Sequence, residues 1–363
     1  VSPDRFDRAA MTADLATLVS AESPSGVPEA LARCRAEVAA LGERLLGAAP
    51  AEHGEHLLWG PERPKVLILG HYDTVWPVGT LALRPFAVDG HRATGPGCFD
   101  MKAGLVQAFH ALSLVAESGG LDGVGVLVTS DEETGSATSR ALIEETARSA
   151  TAVLVAEPSA GGALKTSRKG LARYELRITG RAAHTGLDPE KGVNASIELA
   201  HQILAISGLA APERGTTVTP SVAAAGTTVN TVPDAARLEV DVRAFRRAEL
   251  ERVRHWLLHR RPVLPGARLE VHEGPRRGPL QRSASFGLFQ RAVTLAVELG
   301  LPPLREAAVG GGSDGNLTAA LGVPTLDGLG AVGGGAHSED EWVDLRALAE
   351  RAALLAALVA RLR

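Results

Sequence analysis

The sequence predicts an α/β fold interrupted by a smaller α+β unit, and three observations carry that expectation. Over residues 1–168, short apolar runs alternate with amphipathic helical patterns, as in a layered α/β domain whose strands are covered on both faces. Over 169–278 the pattern changes to polar–apolar alternation in the order βαββαβ, which is that of a ferredoxin-like unit with one solvated sheet face. Over 279–363 the α/β pattern resumes. The expected organisation is one α/β domain in two pieces, 1–168 and 279–363, with 169–278 inserted between them.

Residues 28–47 read as a helix, with Pro28 in the favoured first position and Leu31, Cys34, Val38, Leu41 and Leu45 along one stripe. The run 65–70 (KVLILG) is a short buried strand. Asp100 can cap a helix over 101–117. A second buried strand is expected over 124–129, a helix over 136–149 and a third strand over 152–156. In the inserted part, 171–179 alternates as a strand and 189–207 is a helix with Pro189 near its start. Paired strands over 216–225 and 235–244 follow, then a helix over 248–260 and a strand over 268–272. Helices over 284–299 and 344–362 and a strand over 323–327 complete the chain. The GPGCFD run, 95–100, lacks the third glycine of a dinucleotide fingerprint and follows no evident strand, so that reading is rejected.

At about 100–200 residues per domain, the length suggests two domains. The composition is 45% apolar and 22% charged with a formal net charge of −4, which leaves no electrostatic footprint for nucleic acid or an anionic membrane. Two cysteines exclude a disulfide framework and a thiolate zinc module. No apolar run approaches the ~18 residues that span a bilayer. The start, Val1 to Phe6, lacks the plan of a signal peptide; a cytoplasmic location is expected, secretion staying open if a leader preceded Val1. Any metal ligands would come from the 11 histidines and 42 carboxylates.

Those residue types gather at strand ends. The first buried strand runs into His71-Tyr72-Asp73; residues two apart on an extended chain share a side, so Asp73 can hold one ring nitrogen of His71 while the other binds a metal. Asp100 follows a tight glycine turn. The second strand ends in Ser130-Asp131-Glu132-Glu133, and the third in Glu157-Pro158. His71, Glu132/Glu133 and Glu157 therefore lie at carboxyl ends of strands, where open α/β sheets bind ligands. Singly, each has a plain structural explanation: a loop histidine, a helix cap, a solvated acidic turn. Together they suit a hydrolytic two-metal site without cysteines, zinc foremost. His337, after a glycine-rich run, offers a second histidine.

HYDTV, GPGCFDMKAG, SDEETGS, VAEPS and AHSEDEWV, in this order, resemble the co-catalytic zinc metallopeptidases. That family includes glutamate carboxypeptidase, acetylornithine deacetylase, succinyl-diaminopimelate desuccinylase and the aminoacylases. The chain is most similar to the bacterial glutamate carboxypeptidases, through PVGTLALRPFAVDG, Glu157 and GGGSDGN. The resemblance covers nearly the whole chain and implies a zinc-peptidase α/β/α catalytic domain with a dimerisation domain inserted. It implies that Asp100 bridges two Zn2+ ions, His71 and Glu157 completing one site and Glu133 and His337 the other, with Co2+ or Mn2+ as possible substitutes. Asp73 is then the partner of His71, Glu132 the general base, and the Asp100–Met101 peptide bond cis. Met101, where many members carry a second acid or a small residue, is not expected to disturb metal binding.

In the inserted part, Gly180 to Gly186 (GRAAHTG) resembles the loop whose histidine, here His184, stabilises the oxyanion in the partner subunit's site. Asn230 and Arg243 match substrate-contacting positions. Arg276 or Arg277 falls where a carboxylate-binding arginine is placed, and Gly311, Gly312 and Ser313 could add backbone donors. The implied substrate is a small peptide or N-acyl amino acid, and the implied assembly a homodimer through the inserted domain. The implied reaction is amide hydrolysis before a C-terminal residue, glutamate foremost. A deacylase or dipeptidase of the same family and a non-catalytic peptide-binding homologue are the alternatives. His53, His56, His91, His110, His201, His255, His259 and His272 are read as surface or core residues without partners, Cys98 as no ligand, and Cys34 as core.

Overall fold

The computed structural model describes residues 2–363. The chain divides into two compact units. One comprises the chain up to Ser167, Leu280–Val309 and Ser313–Arg363; the other comprises Arg168–Pro279 with Gly310–Gly312.

The first unit is built on a six-stranded sheet in the order Ala51–His53, His56–Trp59, Val124–Thr129, Val66–His71, Ala152–Val155, Thr325–Leu326. The last four strands run parallel. Val66–His71, Val124–Thr129 and Ala152–Val155 are buried at every position, because helices cover both faces. Val66 and Ile68 face a large core shared with helices Arg8–Ser20, Pro28–Leu46, Ala103–Glu117, Arg282–Glu298 and Arg346–Leu362. Leu67 and Leu69 face a smaller core with helices Arg140–Ala147 and Gly315–Ala320. This is the α/β/α layering expected. A small antiparallel sheet pairs Trp342–Asp344 with Arg92–Thr94, and so fixes the segments that lead to Asp100 and away from His337.

The second unit is an antiparallel sheet in the order Thr217–Ala225, Ala235–Ala244, Gly170–Thr179, Arg268–Arg277. Helices Ala195–Ser207 and Arg247–Leu258 cover one face through Tyr174, Leu176, Ile178, Leu238, Val240 and Val242. The chain order is βαββαβ.

Several boundaries differ from expectation for local reasons. The helix after Asp100 begins at Ala103, not 101, and Asp100 has an extended backbone and caps nothing. The helix expected over 136–149 shortens to Arg140–Ala147, because Ser136 has φ 60° and the Asp131 carboxylate takes the N–H groups of Thr138 and Ser139. Pro189 opens only a single short turn; the helix starts at Ala195, where Asn194 accepts from the Ser196 and Ile197 N–H groups. The last strand of the second unit extends to Arg277 through an irregularity between Glu273 and Arg276. The strand expected over 323–327 is only Thr325–Leu326. The short strand Arg92–Thr94 precedes the GPGCFD run, where none was expected.

Candidate metal centre

The parallel strands end side by side, and their last residues enter the same space. His71, 2% exposed, closes its strand. Its Nδ1 lies 3.0 Å from the Asp73 carbonyl oxygen and 3.3 Å from Asp73 Oδ1. Its Nε2 points the other way, 3.4 Å from Glu157 Oε1 and 3.6 Å from Asp100 Oδ1. Neither His71 Nε2 nor Asp100 Oδ1 has a hydrogen-bond partner, although both are buried. Buried polar atoms of a native site are normally paired, and a cation between these atoms would satisfy both. The donor set of imidazole and carboxylate fits zinc.

Asp100 faces two ways. Its Oδ2 lies 3.5 Å from His337 Nε2, which is also 3.1 Å from Glu133 Oε1. His71, Asp100 and Glu133 bring ligand atoms within 4.8 Å of one another, as do His71, Glu132 and Glu157. Asp73 is fully buried and its oxygens are used: Oδ1 accepts the Glu132 N–H at 3.2 Å, and Oδ2 accepts the Glu133 N–H at 3.2 Å and the Ser25 hydroxyl at 2.6 Å. It therefore fixes both the His71 ring and the backbone of the adjacent acids.

The electrostatics favour a cation. Asp100 and Glu133 push the His337 imidazole up to about 10. Burial would lower His71, but Asp100, Asp73 and Glu157 outweigh it and raise it well above the ordinary histidine value. Burial would raise the Asp100 carboxyl, but His337 and His71 hold it below the ordinary range. Burial raises Glu133, and His337 only partly offsets it. Protons thus stand where a divalent cation would neutralise the same carboxylates.

Residues 67–361 match the sequence model of peptidase family M20/M25/M40. The chain belongs to this family. Carboxypeptidase G2 of Pseudomonas sp. (strain RS-16) is 34% identical over 328 residues, covering 88% of this chain and 77% of that protein. Among solved structures, aminopeptidase PepT from Bacillus cereus superposes with a TM-score of 0.78 at 20% identity, over 98% of this chain and 99% of that one. The M20 family metallo-carboxypeptidase Sso-CP2 from Sulfolobus solfataricus gives 0.72 at 17%, over 96% and 98%. This M20 chain is accordingly a hydrolase of the metallopeptidase class.

The second unit separates the other candidates of this M20 chain into two groups. His184 is exposed and bridges to Thr231, its Nδ1 accepts the Gly186 N–H, and the Thr185 N–H donates to the Asn230 carbonyl. His184 and Asn230 are therefore on adjoining loops. Arg243 and Arg277 both lie opposite Leu171, on the face not covered by helices. From Leu171 to Thr179, where the His184 loop leaves the sheet, the strand advances about 26 Å at ~3.3 Å per residue. Arg276 points to the other face and pairs with Glu251 at 2.5 Å. Gly311 and Gly312 accept from the Arg168 guanidinium through their carbonyls. Ser313 is not an open donor: its N–H goes to Asn316 Oδ1 and its hydroxyl to Asp327 Oδ2.

Sequence reasoning missed partners at and near the centre. Lys165 Nζ lies 3.6 Å from Glu157 Oε2, and Glu341 accepts the Phe99 and Asp100 N–H groups; Lys165 sits in no marked pattern, and Glu341 lies in AHSEDEWV with no role assigned to it from the sequence. The reading of the remaining histidines as without partners is corrected for five of them. His272 Nε2 lies 3.6 Å from Glu270 Oε2. His56 is buried between the Ser130 and Thr138 hydroxyls, His110 lies 2.7 Å from Asp14 Oδ2, and His255 and His259 stack. The Asp100–Met101 bond is cis, and Met101 Sδ accepts the His71 N–H.

Proposed function

We propose that this chain is a two-zinc amidohydrolase that releases a C-terminal amino acid, glutamate foremost, from peptidyl or N-acyl substrates. The observation that carries it is Asp100, whose two oxygens divide between His71 and His337, so that one carboxylate serves two histidine–glutamate pairs. His71 and Glu157 would hold one ion, Glu133 and His337 the other, with Co2+ or Mn2+ as substitutes. Two zinc ions held there would supply Lewis acidity toward the scissile carbonyl and would lower the pKa of water. Glu132, beside His71 and Glu157, takes the proton of the attacking water and delivers it to the leaving nitrogen. Asp73 holds the His71 ring and, through the Glu132 N–H, the base itself.

The name of the 34%-identical relative, a carboxypeptidase, supports a C-terminal cut. Arg243 and Arg277, on one sheet face, suit recognition of the two carboxylates of a glutamate product. His184 and Asn230 leave the opposite end of that sheet, which favours their serving a substrate in a second copy of the chain. The exposed apolar stripe Ile197, Ala200 and Leu204 and the edge strand Thr217–Ala225 offer a dimer surface. Gly311 and Gly312 are assigned as backbone N–H donors to the substrate carboxylate.

The deciding experiment compares hydrolysis of N-acylated Glu, Asp, Orn and neutral amino acids with zinc supplied. Glutamate should show the highest kcat/KM. A preference for ornithine or neutral residues replaces it with a deacylase or dipeptidase reading. Zero turnover by wild type and Glu132→Ala alike would sink the catalytic assignment.

A further inference from the structure

We propose that Glu341 is a positioning residue that fixes Asp100 and His337 relative to one another and thereby sets the affinity of the cation those two share with Glu133. This rests on the two-cation reading above. Glu341 is 2% exposed in a run where Glu339 and Asp340 stay exposed. Its Oε1 accepts the N–H groups of Phe99 and Asp100, each at 2.9 Å. Its Oε2 accepts the Gly97 N–H at 2.8 Å and the Trp76 indole N–H at 2.9 Å. Three of the four donors belong to the turn that presents Asp100. A carboxylate accepting backbone N–H groups makes charge-assisted bonds, stronger than neutral ones, and burial makes each costly to lose.

The same residue is four positions from His337 in a turn closed on itself. The Ser338 N–H donates to Gly335 and the Glu341 N–H to Ser338. Gly335 has φ 75°, and a Cβ there would press on Glu341 Cα at 2.9 Å, so this turn needs glycine. One side chain thus clips the Asp100 turn to the His337 turn, and the pairing of Trp342–Asp344 with Arg92–Thr94 clamps the bases of both. His71 and Glu157 are held differently, at the ends of central strands. Loss of Glu341 should therefore slacken the Asp100–His337 geometry while leaving His71 and Glu157 anchored.

The test is competition of zinc against a chromophoric chelator, with the visible absorption of the Co2+ form as a second readout. Glu341→Gln should weaken, by roughly tenfold to a hundredfold, the binding step that His337→Ala also weakens. It should also change the Co2+ spectrum and lower kcat more than it moves KM. Glu341→Asp, which keeps the charge but shortens the reach by one methylene, should fall between, and decides alone if Glu341→Gln does not fold. Glu198→Gln is the control, because Glu198 accepts the Val263 and Leu264 N–H groups in the other unit; it should lower the melting temperature without moving either step. Wild-type affinities and spectrum in Glu341→Gln and Glu341→Asp, or equal weakening of both steps, overturn the proposal. A wild-type chain that takes up a single cation overturns the two-cation reading instead.

Discussion

Glu132 and Glu133 are neighbours with different surroundings. Glu133 reaches His337, whereas Glu132 sits with His71 and Glu157. Replacing Glu132 with Gln keeps its size and removes the proposed base. Turnover should fall by about 10²–10⁴, the usual worth of a general base, while metal content measured by emission spectroscopy stays at the wild-type level; unchanged kcat would remove Glu132 from the mechanism. His337 gives a second prediction. Its imidazole, pushed up to about 10 without a metal, must lose its proton to become a ligand. Zinc loading at neutral pH should therefore release protons, and affinity should fall as pH drops. Calorimetry in buffers of different ionisation enthalpy reads this directly; an enthalpy independent of buffer would contradict it. At this scale the five motifs carried most of the information: three placed an acid or histidine at a strand end, and two placed Asp100 and His337 in glycine-rich turns. Glu341 was hidden because its acidic neighbours make it look like part of a solvated turn, and its amide partners lie more than 240 residues away.

At the scale of elements, the site depends on how closely helix Ala103–Glu117 approaches the strand that ends at Val155. A Cβ on Gly104 would collide with the Ala156 carbonyl oxygen, and one on Gly330 would meet the same carbonyl from another loop. Gly104→Ala should cost about 1–3 kcal/mol by overpacking, seen as a lower denaturation midpoint, and should weaken zinc binding because Glu157 follows Ala156 directly. Wild-type stability would mean that the helix has room to shift. Buried strands and long helices were legible because apolar runs and heptad-like stripes are local signals. Element ends were not. The starts at Arg140 and Ala195 are decided by which side chain takes the nearby free N–H groups, and Asp131 and Asn194 compete for them in ways no periodicity records.

For the whole molecule, two predictions follow from the proposed metal site, whose ligands come from distant segments, and from the proposed service of His184 to a second copy. Chelation should abolish hydrolysis and lower the melting temperature, since an ion bound only by the folded chain adds its binding free energy to stability; zinc should restore both. Mixing His184→Ala subunits with Glu132→Ala subunits should restore about a quarter of wild-type activity, because random pairing gives half heterodimers with one intact site each. No recovery, or full activity in a sedimenting monomer, would count against His184 serving the site of a second copy.

The sequence by itself determined the layered α/β plan, the interruption by a βαββαβ unit, and the acids and histidines that crowd the strand ends. These follow from near-neighbour physics, in which burial imposes periodicity and a strand delivers its last side chains to one edge. Only the tertiary structure decided the rest. It divided the oxygens of Asp100 between two histidines, turned Arg277 rather than Arg276 to the face of Arg243, spent the Ser313 amide within its own turn, and drew Glu341 beneath Asp100. Those outcomes depend on contacts between segments far apart in the chain, where the energy of a buried hydrogen bond depends on position in space and leaves no local pattern.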